Sequence, residues 1–128
     1  MQLDPPLEEA DRPARVLVVD DSELFRRAAR HVLAEAGFDV VADAVDGAAA
    51  LRLTAQLRPD VVLLDIQLPD ADGFQVAAEL RRAAEPPAIV FVSSRSRSDY
   101  GGMVERSGVR GFLDKAELSG ERLRELLD

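Results

Sequence analysis

The sequence of 128 residues contains no cysteine and a single histidine, His31. Without cysteine there is no disulfide and no thiolate metal site, and one histidine excludes a multi-histidine metal site. Any metal ion that this chain holds must therefore bind to oxygen atoms.

Basic residues are in the minority, with 16 Lys and Arg against 24 Asp and Glu and a net charge of −8. The arginines are scattered along the chain, which argues against direct binding of nucleic acid. The longest apolar run, residues 88–92, is far shorter than the roughly 18 residues of a membrane span, and the first residues lack the features of a signal peptide. We expect a cytoplasmic protein that makes no membrane contact.

The length allows one domain with one core. Residues 1–14 combine three prolines with four acidic side chains and bury little apolar surface. They are predicted to be a flexible tail. Residues 15–128 are predicted to be the folded domain.

A strand buried on both faces is indicated by residues 16–19, which are all aliphatic without polar alternation. It ends at the acid pair Asp20-Asp21, and Ser22 can cap a helix that runs to Gly37. The predicted apolar positions of this helix are Leu24, Ala28, Val32 and Ala36, beside Phe25, Ala29 and Leu33.

The pattern of strand and helix repeats along the whole chain. Asp46-Gly47 could form a hairpin turn, but the strong helix former that follows favours Asp46 as a helix cap. A third helix is expected to present Phe74, Ala77 and Leu80 and to be ended by Pro86-Pro87, and a weakly helical segment covers residues 95–107. The further strands are predicted at 39–45, 61–65, 88–92 and 111–113, and a last helix is capped by Ser119. Five alternations predict an α/β fold with a doubly wound parallel sheet.

Three aspartates, Asp20, Asp21 and Asp65, follow two buried strands and should meet at one edge of the sheet. Like charges at close range favour a hard divalent cation, and Mg²⁺ suits a site with few protein oxygens. Lys115 after the fifth strand and the Ser93 hydroxyl after the fourth can reach the same edge. Together these groups fit a phosphoryl group.

With these motifs the chain resembles the receiver domains of two-component response regulators over about residues 15–127. The resemblance implies a flavodoxin-like fold with strand order 2-1-3-4-5. It implies that Asp65 accepts a phosphoryl group from a histidine kinase or a phosphotransfer protein, while Ser93 contacts that group and Lys115 pairs with it. Mg²⁺ would be held by Asp20, Asp21, Asp65 and the backbone carbonyl of Gln67, and Ser93 with Phe112 would form the switch.

The resemblance also implies an output domain or protein partner, controlled through the fourth helix, fifth strand and fifth helix. It makes the chain a phosphoacceptor that catalyses its own phosphorylation and dephosphorylation, without being an enzyme for another substrate. A homodimer is compatible with this interpretation. The ending Lys115-Ala116-Glu117-Leu118 is similar to that of receivers attached to helix-turn-helix domains.

Two positions depart from the family pattern. Many receivers have a proline after the lysine, often with a cis bond; here Ala116 follows, and we expect a trans bond because a non-proline cis bond costs roughly 2.5 to 4 kcal/mol. The switch aromatic is often tyrosine and is Phe112 here, so its hydroxyl is absent.

Two other protein classes fit the sequence less well. A haloacid-dehalogenase-type phosphatase would need an aspartate where Gln67 stands, and a nucleotide or flavin binder would need a glycine-rich turn after the first strand. A receiver fold that signals without phosphorylation stays open.

Asp70 and Asp72 are expected to be loop and cap residues, and Ser94 is the rival of Ser93 for the phosphoryl contact.

Overall fold

The computed structural model describes residues 12–128, in which five strands alternate with five helices. The predicted tail is residues 1–14, and residues 1–11 of it lie outside the described residues. Two short 3₁₀ turns cover Arg97–Tyr100 and Lys115–Glu117. The strands and helices are β1 (Arg15–Val19), α1 (Glu23–Glu35), β2 (Asp39–Ala44), α2 (Gly47–Leu57), β3 (Val61–Asp65), α3 (Gly73–Leu80), β4 (Ala88–Ser93), α4 (Met103–Arg106), β5 (Gly111–Asp114) and α5 (Gly120–Leu127).

The five strands form one parallel sheet in the order β2-β1-β3-β4-β5, which confirms the predicted topology. Alternate residues of the central strands pack to opposite faces, as the period of a strand requires. One face carries Leu17, Leu64 and Phe91 under α2, α3 and α4. The opposite face carries Val18 and Val90 under α1 and α5. Helices cover both faces, so the central strands can be apolar throughout.

Three predicted helix caps are confirmed. Ser22 Oγ accepts from the Phe25 amide at 3.2 Å, and Ser119 Oγ accepts from the Arg122 amide at 3.1 Å. The Asp46 carboxylate accepts from the Ala49 amide at 2.8 Å and begins α2. The alternative of a hairpin at Asp46-Gly47 is therefore wrong.

The predicted inner face of α1 is only half correct. Leu24 is 80% exposed and Ala28 is exposed, whereas Ala29 and Leu33 are fully buried. A strict four-residue repeat drifts around a helix of 3.6 residues per turn, so the buried stripe mixes steps of three and four. That stripe begins at Phe25, one position after Leu24.

Helix α3 ends at Leu80, several residues before Pro86-Pro87, which were predicted to end it. Residues 81–86 are exposed, so continuing the helix would bury no apolar surface before the two prolines. The bond between Lys115 and Ala116 is trans, as expected. Within residues 12–128, each helix is too short or too polar to cross a bilayer.

Candidate functional site

The parallel register brings the predicted site residues to one edge of the sheet. Val19 pairs with Leu64, so Asp20 and Asp65 follow side by side on neighbouring strands. Asp65 lies opposite Val92, which places Ser93 one residue further along β4. Ser93 in turn lies opposite Asp114, and Lys115 follows at once. Carboxyl ends of parallel strands meet at one edge, and that is where open α/β sheets bind ligands.

Three carboxylates are gathered at this edge. Asp20, Asp21 and Asp65 each offer an oxygen within 4.8 Å of the others. Asp20 is fully buried and Asp65 is 4% exposed, whereas Asp21 is exposed. Burial raises the pKa of Asp65 above its ordinary value and the Asp20 charge adds to the rise, against the Gln67 amide and Lys115, which lower it. A negative charge on Asp65 therefore costs electrostatic free energy at this site.

Lys115 is the cation of the cluster. Its Nζ lies 2.6 Å from Asp20 Oδ2 and 3.2 Å from Asp65 Oδ2. Burial alone would lower the pKa of Lys115, but the Asp20 and Asp65 carboxylates outweigh it and raise that pKa. The ammonium also lies 4.9 Å from the centre of the Phe25 ring, a cation–π distance. Lys115 stays charged and links the two buried acids.

The cluster has the properties of a cation site. The buried Asp20 Oδ2 has no hydrogen-bond donor in regular geometry, although it is ion-paired with Lys115. Among residues 12–128, the carboxylate of Asp21 has no hydrogen bond or salt bridge to the protein. An all-oxygen set with a net negative charge fits a small, hard divalent cation. The structure thus brings together the three aspartates of the predicted metal site.

Arg26 is a neighbour that the sequence did not identify. Its side chain is only 13% exposed. Its guanidinium donates to the Asp20 carbonyl at 2.8 Å and lies 3.6 Å from the Asp43 carboxylate. One helical turn along α1 from Ser22, it fixes the backbone of the acid pair.

Ser93 and Ser94 differ as alternation along a strand requires. Ser93 is 1% exposed and Ser94 is exposed. In this structure the Ser93 hydroxyl is hydrogen-bonded to the Tyr100 hydroxyl at 2.6 Å and accepts from the Arg95 amide at 3.0 Å. Within the described residues, no hydrogen bond joins Ser93 to Asp65.

Tyr100 is the second residue that the sequence did not identify. Its ring lies 5.8 Å from Phe74 and 6.1 Å from the half-buried Phe112, centre to centre. Phe74 continues the row to Phe91 at 4.9 Å. The signal in the sequence was the one tyrosine of the chain, placed seven residues after the candidate serine.

The loop after Asp65 is held by its own acids. The Gln67 amide donates to Asp65 Oδ1 at 3.1 Å; whether its carbonyl binds a metal stays a prediction. Asp72 caps α3 through the Phe74 amide, and the Asp70 carboxylate accepts from two amides at the start of α2, at 2.8 and 3.0 Å. These two bonds lower the pKa of Asp70. Both residues are loop and cap residues, as expected.

Gly73 closes this loop against the strand. A Cβ at Gly73 would lie 2.6 Å from the Asp65 carbonyl oxygen and from Ile66 Cα. Backbone atoms at that distance cannot give way, so only glycine fits here. The loop is therefore packed directly on the end of β3.

Comparison with known proteins supplies the family context. Residues 16–128 match the family model of the response regulator receiver domain. A protein-glutamate methylesterase/protein-glutamine glutaminase of Anaeromyxobacter dehalogenans is 44% identical over 87% of this chain and 33% of its own length. The probable transcriptional regulatory protein NarL of Mycobacterium tuberculosis is 38% identical over 89% of this chain and 53% of its own length. The chain thus spans a third to a half of these relatives.

Solved structures give the same picture. The signal receiver domain of NarL from Mycobacterium tuberculosis superposes with a TM-score of 0.82 at 36% identity, covering 91% of this chain and 95% of that one. The response regulator domain of CheB from Thermotoga maritima gives 0.79 at 26% identity, with the same coverage of both chains.

Proposed function

Since this chain belongs to the family of response regulator receiver domains of two-component systems, we propose that it accepts a phosphoryl group on Asp65. The donor is the phosphohistidine of a histidine kinase or a phosphotransfer protein. The observation that carries the proposal is the ammonium of Lys115 between the buried carboxylates of Asp20 and Asp65. A cation fixed beside a buried nucleophile stabilises the negative charge that phosphoryl transfer brings in.

The chemical step balances without a further reactant. A lone pair of an Asp65 carboxylate oxygen forms the new O–P bond while the P–N bond of the donor breaks, and the imidazole nitrogen keeps that electron pair. Lys115 Nζ, 3.2 Å from Asp65 Oδ2, is placed to donate to an incoming phosphoryl oxygen. Ser93, one residue beyond the strand position opposite Asp65, contributes a hydroxyl to the same group.

The cofactor of the proposal is Mg²⁺, held by Asp20, Asp21, Asp65 and the backbone carbonyl of Gln67. When bound, it neutralises phosphoryl oxygens and offsets the repulsion among the three acids. Without Mg²⁺, Lys115 balances part of the negative charge of the three carboxylates. Asp20 is positioned by the Ser22 amide at 2.8 Å and, through its carbonyl, by Arg26.

The proposed output is a change in the face formed by α4, β5 and α5, read by an output domain or a protein partner in the cytoplasm. The methylesterase and glutaminase activities named for relatives are not part of the proposal, because the chain matches about a third of those proteins. The chain acts on its own aspartate and on no other substrate.

The test is phosphoryl uptake from a small phosphodonor with Mg²⁺, measured by intact mass. We expect the parent to gain one phosphoryl group, and to gain none when a chelator removes Mg²⁺. Asp65→Asn should gain none in either case. Asp39→Asn is the matched control, since Asp39 is an exposed aspartate at the opposite end of the sheet. Equal labelling of Asp65→Asn and the parent would overturn the assignment.

A further inference from the structure

Tyr100 is hydrogen-bonded to the Ser93 hydroxyl, the group that contacts the phosphoryl group in the proposed reaction. The two oxygens are 2.6 Å apart, a short hydroxyl–hydroxyl hydrogen bond, and the Arg95 amide donates to the same Ser93 oxygen at 3.0 Å. A serine hydroxyl has one proton to donate and two lone pairs to accept with. One lone pair is used by Arg95, so Tyr100 takes either the proton or the other lone pair.

Burial decides which group donates. Ser93 is 1% exposed, and Tyr100 is its sole hydroxyl partner among residues 12–128. If the phenol donated, the serine proton would be left inside the protein without an acceptor, which is unfavourable. The phenol is at a half-exposed side chain and can give its own proton to water. Either oxygen could donate on distance alone, and from the burial of Ser93 we infer that Ser93 donates to Tyr100.

We propose that Tyr100 is a positioning residue that holds the Ser93 proton away from Asp65 in the unphosphorylated protein. This inference rests on the proposed function. A phosphoryl group on Asp65 offers a stronger, charged acceptor for the same proton, because charge-assisted hydrogen bonds are about twice as strong as neutral ones. The serine has one proton, so binding the phosphoryl group releases Tyr100.

Tyr100, once released, can move because the segment that carries it is weakly held. Its ring is packed between Phe74 and Phe112. The 3₁₀ turn Arg97–Tyr100 is held by local bonds, namely the Ser96–Asp99 capping box and the ion pair of Arg97 with Glu105. Exposed ion pairs contribute little, so the turn can shift. Tyr100 thus links the site to Phe112, which has no hydroxyl of its own.

A purely structural role for Tyr100 would be to fill space between the two phenylalanines. Tyr100→Phe keeps the ring and removes the hydroxyl alone, so it separates the two roles. If the ring only fills space, this variant binds a phosphoryl group as the parent does. If the hydroxyl holds the Ser93 proton, the variant loses a bond that opposes binding.

The first experiment titrates the full chain with beryllium fluoride, a phosphoryl mimic, in the presence of Mg²⁺. We expect Tyr100→Phe to lower the half-saturating concentration by about fivefold, the size of one neutral hydrogen bond. The effect should vanish in the Ser93→Ala background. Ser94→Ala, which removes the neighbouring exposed hydroxyl, is the control and should match the parent. Unchanged or weaker binding by Tyr100→Phe would overturn the inference, as would an effect that persists without Ser93.

The second experiment needs no phosphoryl chemistry. Tyr100 is the one tyrosine of the chain, so a ring-labelled sample gives a single tyrosine signal in NMR spectra. In the bare protein we expect this signal to shift in Ser93→Ala and to stay in place in Ser94→Ala. No shift in Ser93→Ala would overturn the hydrogen bond itself. If instead the parent takes up neither beryllium fluoride nor a phosphoryl group, the proposed function fails, and the role of Tyr100 fails with it.

Discussion

Helix α1 and the segment 94–107 both follow a strand whose carboxyl end lies at the site, yet they differ in nearly every structural respect. Helix α1 has 13 residues, a Ser22 cap and two fully buried side chains, Ala29 and Leu33. The segment 94–107 has a four-residue 3₁₀ turn and a four-residue helix, α4. Among its residues only Val104 is buried.

The physical reason for the difference lies in two glycines. Gly101 has φ of +58°, a conformation that ends a helical turn and that other residues rarely adopt. Gly102 is the residue directly before α4, and glycine has a low helix propensity. The prediction of a weakly helical segment over residues 95–107 is therefore confirmed.

The contrast divides the site into two parts. Asp20 and Lys115 are linked to each other beside the regular helix α1, and Arg26 from that helix fixes the backbone of Asp20. Ser93 is linked to Tyr100, on the weakly anchored segment. The charges of the site are held in place, and its hydroxyl is attached to the part that can move.

Core truncation should separate the two regions most strongly. Leu33→Ala in α1 should lower the free energy of unfolding by roughly 2 to 5 kcal/mol, since it empties a fully buried position. Val104→Ala in α4 removes two carbons and should cost roughly 1 to 2 kcal/mol. Urea unfolding monitored by circular dichroism measures both values. A loss for Val104→Ala as large as that for Leu33→Ala would remove the distinction between the regions.

Magnesium binding tests the fixed part of the site. Asp21→Asn should weaken Mg²⁺ binding by about tenfold or more, and by more than Asp20→Asn does. Asp21 is exposed and has no partner among the described residues, whereas Asp20 is already paired with Lys115. Calorimetric titration of both variants gives the ranking. Equal losses would show that the two acids share the ion in the same way.

Hydrogen exchange tests the movable part. With beryllium fluoride and Mg²⁺, amide exchange should change several-fold across residues 94–107 and around Phe112, while α1 stays constant as the internal control. Few buried contacts mean that local opening is easy in this segment. If the segment is as protected as α1 in the bare protein and does not respond, the switch lies elsewhere.

The smallest effect concerns the loop between β3 and α3, which Asp70 ties to α2. The Gly47 and Ala48 amides lower the pKa of Asp70, so the ionised form stabilises the fold. That contribution is present above the unfolded pKa of about 3.9 and is lost as pH falls through the lower folded pKa. Asp70→Asn should therefore be less stable than the parent at pH 7 and should converge with it in acid. Thermal unfolding against pH measures this; a constant difference at all pH values would contradict it.

Much of the fold followed from residues that act locally. Unbroken aliphatic runs such as residues 16–19 specify strands buried on both faces, because no polar side chain is available for a solvent face. Ser22, Asp46 and Ser119 specify helix starts through bonds that span three residues. The alternation of these elements then leaves few topologies for a parallel sheet.

The positions of Asp20, Asp21, Asp65, Ser93 and Lys115 at one edge were predictable for the same reason. Each lies at the end of a strand or within two residues after it, and parallel strands end together. The sequence could not supply the partners that these residues choose. Lys115 bridges residues 95 and 50 positions away, and the Asp70 bonds to α2 span more than twenty residues.

By itself the sequence determined the order of strands and helices, their caps, and the set of charged groups at the sheet edge, because each depends on neighbours along the chain. Only the tertiary structure decided that Arg26 turns inward, that Leu24 is left exposed, and that the Ser93 hydroxyl is bound to Tyr100. Those outcomes depend on which face of a helix meets the sheet and on which distant group satisfies a buried polar atom. Both are fixed only when the whole chain is packed.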